Sequence, residues 1–276
     1  MSTENTKVEQ AEVWQAIRQE AEAMVANEPA LKDFLEKRIL GQARIVEAVT
    51  VILAEKLTQT DVPTNVLVQE IGSAFNADEG VAQVICEDIA AVYERDPACQ
   101  TYLDPILFFK GFLALQAYRA AHQLIKQGRR GMAHLIQNRA SEVFGADIHP
   151  SAQIGHGIMI DHATGVVIGE TAVIGNDVSM LHGVTLGGSG KEGGDRHPKI
   201  GNGVLISVGA KVLGNIHIGD CAKIGAGSVV LTDVPAYSTA VGIPAKVVGK
   251  VDTPTPSRSM DHSLAAAMDT KTDTQK

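Results

Sequence analysis

The sequence has no surplus of basic residues. Lys and Arg number 24 against 32 Asp and Glu, a formal net charge of −8. Nucleic-acid binding is excluded on that ground, because phosphate contacts need clustered cations. Long apolar runs are also missing. None approaches the ~18 uninterrupted apolar residues of a membrane span, and even the stretch from Ile106 to Leu115 contains Lys110. The opening MSTENTKVEQ is polar, without the basic-then-apolar pattern of a secretory signal. Cysteine is scarce: Cys86, Cys99 and Cys221 have neither metal-ligand nor disulfide-framework spacing. They read as small buried residues in a reducing compartment, and a soluble, cytoplasmic protein is expected. At 276 residues, with 45% hydrophobic residues, the chain can bury one large core or two modest ones.

Glycine is nearly absent from the first half. Six of the 27 glycines precede Gly145, and the other 21 fall between Gly145 and Gly249. The glycine-poor part has helical periodicity. Val13, Trp14, Ile17, Ala21 and Met24 recur at i, i+3, i+4 spacings. Pro29 and Gly41 punctuate the pattern, and Ile45, Ala48, Val49 and Ile52 mark a second apolar face. Asn76 or Asp78 can open a helix from about Glu79 to Arg95, with Val81, Ile85, Ile89 and Val92 inward. PILFFKGFLALQAYRAAHQLIKQG reads as one strongly apolar helix ending in a basic turn near Gly128. A helical bundle accounts for these residues.

From Ile148 the period becomes six. Ile148, Ile154 and Ile160 set a register that resumes, after a slip of two residues, at Ile168, Ile174, Met180 and Leu186. Thirteen residues, GGSGKEGGDRHPK, interrupt it before Ile200, Ile206, Val212, Ile218, Ile224 and Val230. Two-residue alternation makes short strands, and glycine allows tight turns of positive φ between them. Three such units close one triangular coil, and stacked coils bury the aliphatic column. Residues 148–165, 168–185, 200–217 and 218–235 supply about four coils. The fold class expected is α+β: an α-helical domain over 1–144, a left-handed parallel β-helix over 145–251 with an extruded loop at 187–199, and a disordered polar tail over 252–276.

Two departures from the repeat carry chemistry. The unit IDHATG places Asp161 where glycine usually sits and follows it with His162. The interrupting loop carries Asp195, Arg196 and His197 among glycines, and Asp147 and His149 flank the first repeat in ADIHP. A regular coil gains nothing from a thirteen-residue extrusion, and long loops on rigid scaffolds often carry function. His156, His182 and His217 fall on the repeat without company and read as structural. His122 and His134 lie on helical faces and read as packed or solvated.

DIHPSAQIGHGIMIDHATGVVIGETAVIG, VTLGGSGKEGGDRHPKIGNGV and GNIHIGDCAKIGAGSVV resemble bacterial serine acetyltransferase, as does the helical ERDPACQTYLDPILFFKGFLALQAYR. The resemblance runs from about residue 10 to residue 252. It implies that His162 is the general base for a serine hydroxyl and that Asp147 orients it, with His197 also in the catalytic set. Asp96, Asp161, Arg196 and His197 fall on amino-acid-binding positions. Acetyl-CoA, the implied co-substrate, would lie between adjacent subunits near Gly188, Val208 and Ala226, with Lys223 and Lys246 beside its phosphates. No metal is implied. Here the chain reads ISVGA at 206–210 where the family usually has IGAGA. The implied assembly is a homotrimer or a dimer of trimers paired by the helical domain, with L-cysteine as feedback inhibitor. The family docks a C-terminal Ile into O-acetylserine sulfhydrylase. This sequence ends DTKTDTQK, so a weak complex or none is expected.

The chemistry of the residues agrees. A serine hydroxyl is a poor nucleophile at neutral pH, so an imidazole must take its proton as it attacks the thioester. Neither a GxSxG serine nor a placed cysteine offers a covalent route, which favours direct transfer. Two carboxylates suit the ammonium of an amino acid, and an arginine suits its carboxylate. Three other readings remain open: a hexapeptide acyltransferase with another hydroxyl acceptor, a γ-carbonic-anhydrase-like zinc lyase using His149, His162 and His197, and a structural or binding solenoid.

Overall fold

A computed structural model describes residues 9–190 and 193–263 of the chain. Helices fill the first half: α1 (Gln10–Asn27), α2 (Lys32–Leu35), α3 (Ile45–Leu57), α4 (Thr64–Asn76), α5 (Val81–Arg95), α6 (Leu103–Phe108), α7 (Lys110–Lys126) and α8 (Arg130–Phe144). The expected stripes face inward, with Val13, Ile17, Ala21, Val49, Ile52, Ile85 and Ile89 all buried. The apolar helix read from Pro105 to Gly128 is instead two. Phe109 is extended, at ψ 106°, so α7 restarts at Lys110 and presents its first turn to the β-helix. Gly111 permits that approach: a Cβ there would stand 1.9 Å from the carbonyl oxygen of Ile160.

The second half is a three-faced parallel solenoid. The first face stacks β1 (Ala146–Ile148), β4 (Val166–Ile168), β7 (Thr185–Gly187), β10 (Lys211–Leu213) and β13 (Val229–Val230). The second stacks β2 (Gln153–Ile154), β5 (Val173–Ile174), β8 (Lys199–Ile200) and β11 (His217–Ile218). The third stacks β3 (Met159–Ile160), β6 (Ser179–Met180), β9 (Leu205–Ile206), β12 (Lys223–Ile224) and β14 (Ser238–Gly242), and β15 (Ala245–Lys250) pairs antiparallel with β14. The lead aliphatics form the core column, Ile168, Met180, Leu186, Ile206, Val212 and Ile224 being buried.

There are five coils rather than four. The first two begin where the hexad leads suggest, in β1 and β4, but the third and fourth begin one strand earlier, in β7 and β10, so the GGSGKEGGDRHPK segment lies within the third coil, between its first and second faces. The fifth coil escaped the repeat because its second face is reduced to a single bridge, Ile218 to Val234.

Buried polar contacts join the halves. The carboxylate of Asp88, fully buried on α5, accepts from Arg119 Nε (2.8 Å) and Nη2 (3.0 Å), from Gln116 and from the Ile158 amide. Arg119 also donates to the Gly155 carbonyl at 2.8 Å. Arg95 reaches the Gly157 carbonyl, Ser179 Oγ and Asp177. Arg119 and Arg95 thereby satisfy carbonyls of the first coil that no coil precedes.

Residues 252–263 differ from the expected disordered tail. α9 (Pro256–Ser259) packs on α5, β6 and β9, and Ser179 Oγ donates to the Ser257 carbonyl at 2.8 Å. The rest of the tail, on which the expectation of a weak sulfhydrylase complex rests, lies outside the described residues.

Candidate active site

The slip of two residues in the repeat is the turn that carries His162. Ile160 pairs with Met180, and Ile168 with Leu186, so the link from third to first face is two residues longer in the first coil than in the second. The surplus is absorbed by His162 and Ala163, both left-handed at φ 57°. Non-glycine residues adopt that conformation at a cost, and such strain clusters at functional sites. It pushes the His162 side chain outward, 72% exposed, with Asp161 Oδ1 3.7 Å from its Nε2. Lys110 holds the turn from α7 by a hydrogen bond to Thr164 Oγ1.

A cavity of about 330 Å³ opens beside this turn. Asp96, Lys110, Asp161 and His162 supply its polar groups, and Val92, Phe109, Phe112, Met159 and Ile160 are among its apolar walls. Asp96 caps the C-terminus of α5 and accepts from the Ala98 amide at 2.8 Å. A cavity with two carboxylates, one ammonium and one imidazole suits a small zwitterionic ligand bearing a proton to be removed.

Arg196 and His197 are elsewhere. They precede β8, at the edge between first and second faces, whereas His162 lies at the edge between third and first. His197 is buried, its Nδ1 2.8 Å from Thr171 Oγ1, and its ring rests on Gly169. A Cβ on Gly169 would stand 2.0 Å from that ring, so only glycine leaves the seat open. Burial, with Arg196 and Lys199 nearby, pushes the His197 pKa below the usual histidine range. Arg196 pairs with Glu170 at 2.7 Å.

Asp147 projects from the first face over the exposed Val167. Its carboxylate accepts from Gln137 Nε2 at 2.8 Å and is not bonded to His162. The expected dyad is therefore not joined within one copy. Gly188 lies beside Arg196, at the edge away from Val208 and Ala226. Lys223 is buried and donates to the Ser263 carbonyl at 2.6 Å, so it is not a free phosphate ligand here. Ser207, one of the departures of the ISVGA segment from IGAGA, contacts His262 Nδ1 at 2.9 Å. Lys246, on β15, is exposed.

The zinc reading also divides. His149 sits at the edge of His197, away from His162, and no group of three or more His, Cys, Asp or Glu is placed to hold a metal among the described residues. One residue was passed over in the sequence. His182, on register in the second coil, has its ring 5.7 Å from that of His162.

Comparison with known proteins places this arrangement. A family profile described as serine acetyltransferase, N-terminal, matches residues 13–117, and a bacterial transferase hexapeptide profile matches 197–232. The serine acetyltransferase of Escherichia coli K12 is 52% identical over 250 residues, covering 90% of this chain and 91% of its own. The chain belongs to the serine acetyltransferase family. Among solved family structures, that of Vibrio cholerae superposes with a TM-score of 0.91 at 48% identity, covering 92% of this chain and 98% of its own. That of Brucella abortus, solved in complex with coenzyme A, gives a TM-score of 0.85 at 51% identity, covering 87% and 96%. Family members are acyltransferases, and the helical half and the solenoid both take part in the match.

Proposed function

We propose that this chain transfers the acetyl group of acetyl-CoA to the hydroxyl of L-serine, giving O-acetyl-L-serine and CoA, the first step from serine towards cysteine. The observation that carries the reading is the pairing of a strained, outward His162 with two carboxylates at one cavity. His162 takes the hydroxyl proton as the serine oxygen attacks the thioester carbon. Asp96 and Asp161 hold the substrate ammonium. The substrate carboxylate calls for a cation, and Arg196 with His197 answers it from a neighbouring copy, because they lie at the opposite edge of the same face. A homotrimer, or two trimers paired through the helical domains, supplies that arrangement and brings Gly188 of one copy towards Val208 and Ala226 of the next. Within the assembly Asp147 orients the His162 ring. L-cysteine, sharing the amino-acid groups of serine, competes at the same positions. The reaction belongs to the cytoplasm, where acetyl-CoA and free serine meet.

The test is an acceptor panel: thiol release from acetyl-CoA with L-serine, L-homoserine, a hexose and water. L-serine is expected to give release well above water, with the other acceptors far behind. Release with homoserine or the sugar but not with L-serine would replace the acceptor, and release with none would overturn the activity.

A further inference from the structure

The register of the third face defines a column that the sequence does not display. Ile160 pairs with Met180, Met180 with Ile206, and Ile206 with Ile224. Two residues beyond each pair, the same edge carries His162, His182, Val208 and Ala226 in successive coils. The proposed base is the first rung, and two residues proposed to line the CoA arm are the third and fourth. His182 is the rung between them.

Its side chain packs against that of His162. The ring meets that of His162 at an interplanar angle of 68°, edge to face, with centroids 5.7 Å apart. Its Nδ1 is buried with no hydrogen-bond partner. A proton on a buried nitrogen without an acceptor is costly, so the neutral ring keeps its proton on Nε2. Nε2–H is then the donor that His182 has to offer, at the edge it shares with His162.

The geometry points to His182 as a second histidine of the transfer site, donating Nε2–H to the thioester carbonyl oxygen; this rests on the function proposed above. As the serine oxygen attacks, a C–O bond forms and the carbonyl π pair moves to oxygen, where the His182 N–H stabilises it. The hydroxyl proton goes to the His162 imidazole. Collapse re-forms the carbonyl and breaks the C–S bond, and the departing thiolate takes the proton back from His162. Atoms and charge balance with no other reactant.

The experiment measures kcat and KM for both substrates in wild type, His182→Phe, His182→Leu and His182→Gln, with CoA binding measured separately. Phe keeps a ring against His162 without the donor, Leu removes both, and Gln restores an N–H. Loss of one oxyanion donor typically costs about 10²–10³ in kcat. Phe and Leu are therefore expected to lose at least about tenfold in kcat, while Gln stays within about fivefold of wild type. KM for L-serine and affinity for free CoA, which has no carbonyl at sulfur, should stay within about twofold. Whichever of Phe and Leu folds as wild type decides the matter. The inference is overturned if that variant keeps wild-type kcat, if Gln falls as far as it does, or if CoA affinity falls in step with kcat. A wild type without serine-dependent release overturns the function itself, a different result from an active wild type matched by His182→Phe.

Discussion

Replacing Asp88 with Ala removes the carboxylate that joins the helical half to the first coil. Four donors lose their acceptor at once: two on Arg119, the Gln116 amide and the Ile158 backbone N–H. The Arg119 side chain is only 10% exposed, so water cannot replace the lost partner without rearrangement. Breaking a buried pair by removing one member costs about 3–5 kcal/mol, because the surviving charge is left uncompensated. For a chain of this size each kcal/mol lowers Tm by roughly 2–4 °C, so a fall of about 10 °C is expected. Differential scanning calorimetry of wild type, Asp88→Ala, Arg119→Met and the double variant measures it. The double variant should be less destabilised than the sum of the singles, since neither charge is then stranded. A fall under about 2 °C for Asp88→Ala, or strict additivity in the double variant, would refute the reasoning.

Gly111→Ala should lower stability by about 1–3 kcal/mol, since the new Cβ meets the Ile160 backbone at 1.9 Å; an unchanged urea midpoint contradicts that. The pKa of His197 is held below the ordinary histidine value of 6.5. As pH falls through that value the unfolded chain takes up the proton first, so this group contributes stability above it and loses it on acidification. The urea midpoint of His197→Asn should accordingly vary less between pH 7.5 and 5.5 than that of wild type, and an equal slope would refute the assignment. If the site is shared between copies, co-expressed His162→Ala and Arg196→Ala chains form some intact sites. Random mixing of equal amounts predicts recovery of about a quarter of wild-type activity, whereas no gain over either parent places both residues in one copy.

The solenoid was legible because an aliphatic at every sixth position has only one way to be buried, and the slip before Ile168 marked the His162 turn directly. What sequence could not show is what the third dimension adds. His182 looks like any on-register residue until the coils stack it against His162. The helix break at Phe109 lies inside a continuous apolar run, so periodicity carried straight through it. The fifth coil lacks a second-face strand, and the polar stretch 252–263 has no pattern announcing that Ser257, His262 and Ser263 find partners on the third face. Asp147 and Lys223 were chosen by resemblance. The structure gives each a different partner within a single chain, Gln137 and the Ser263 carbonyl.

The most direct test of the account follows thiol release from acetyl-CoA with L-serine in wild type and His162→Ala, with the acetylated product identified by mass spectrometry. A positioned general base contributes about 10²–10⁴ to rate. Wild type should yield O-acetyl-L-serine, and His162→Ala, folded as wild type, should lose at least about a hundredfold in kcat. Full activity in His162→Ala would contradict the account.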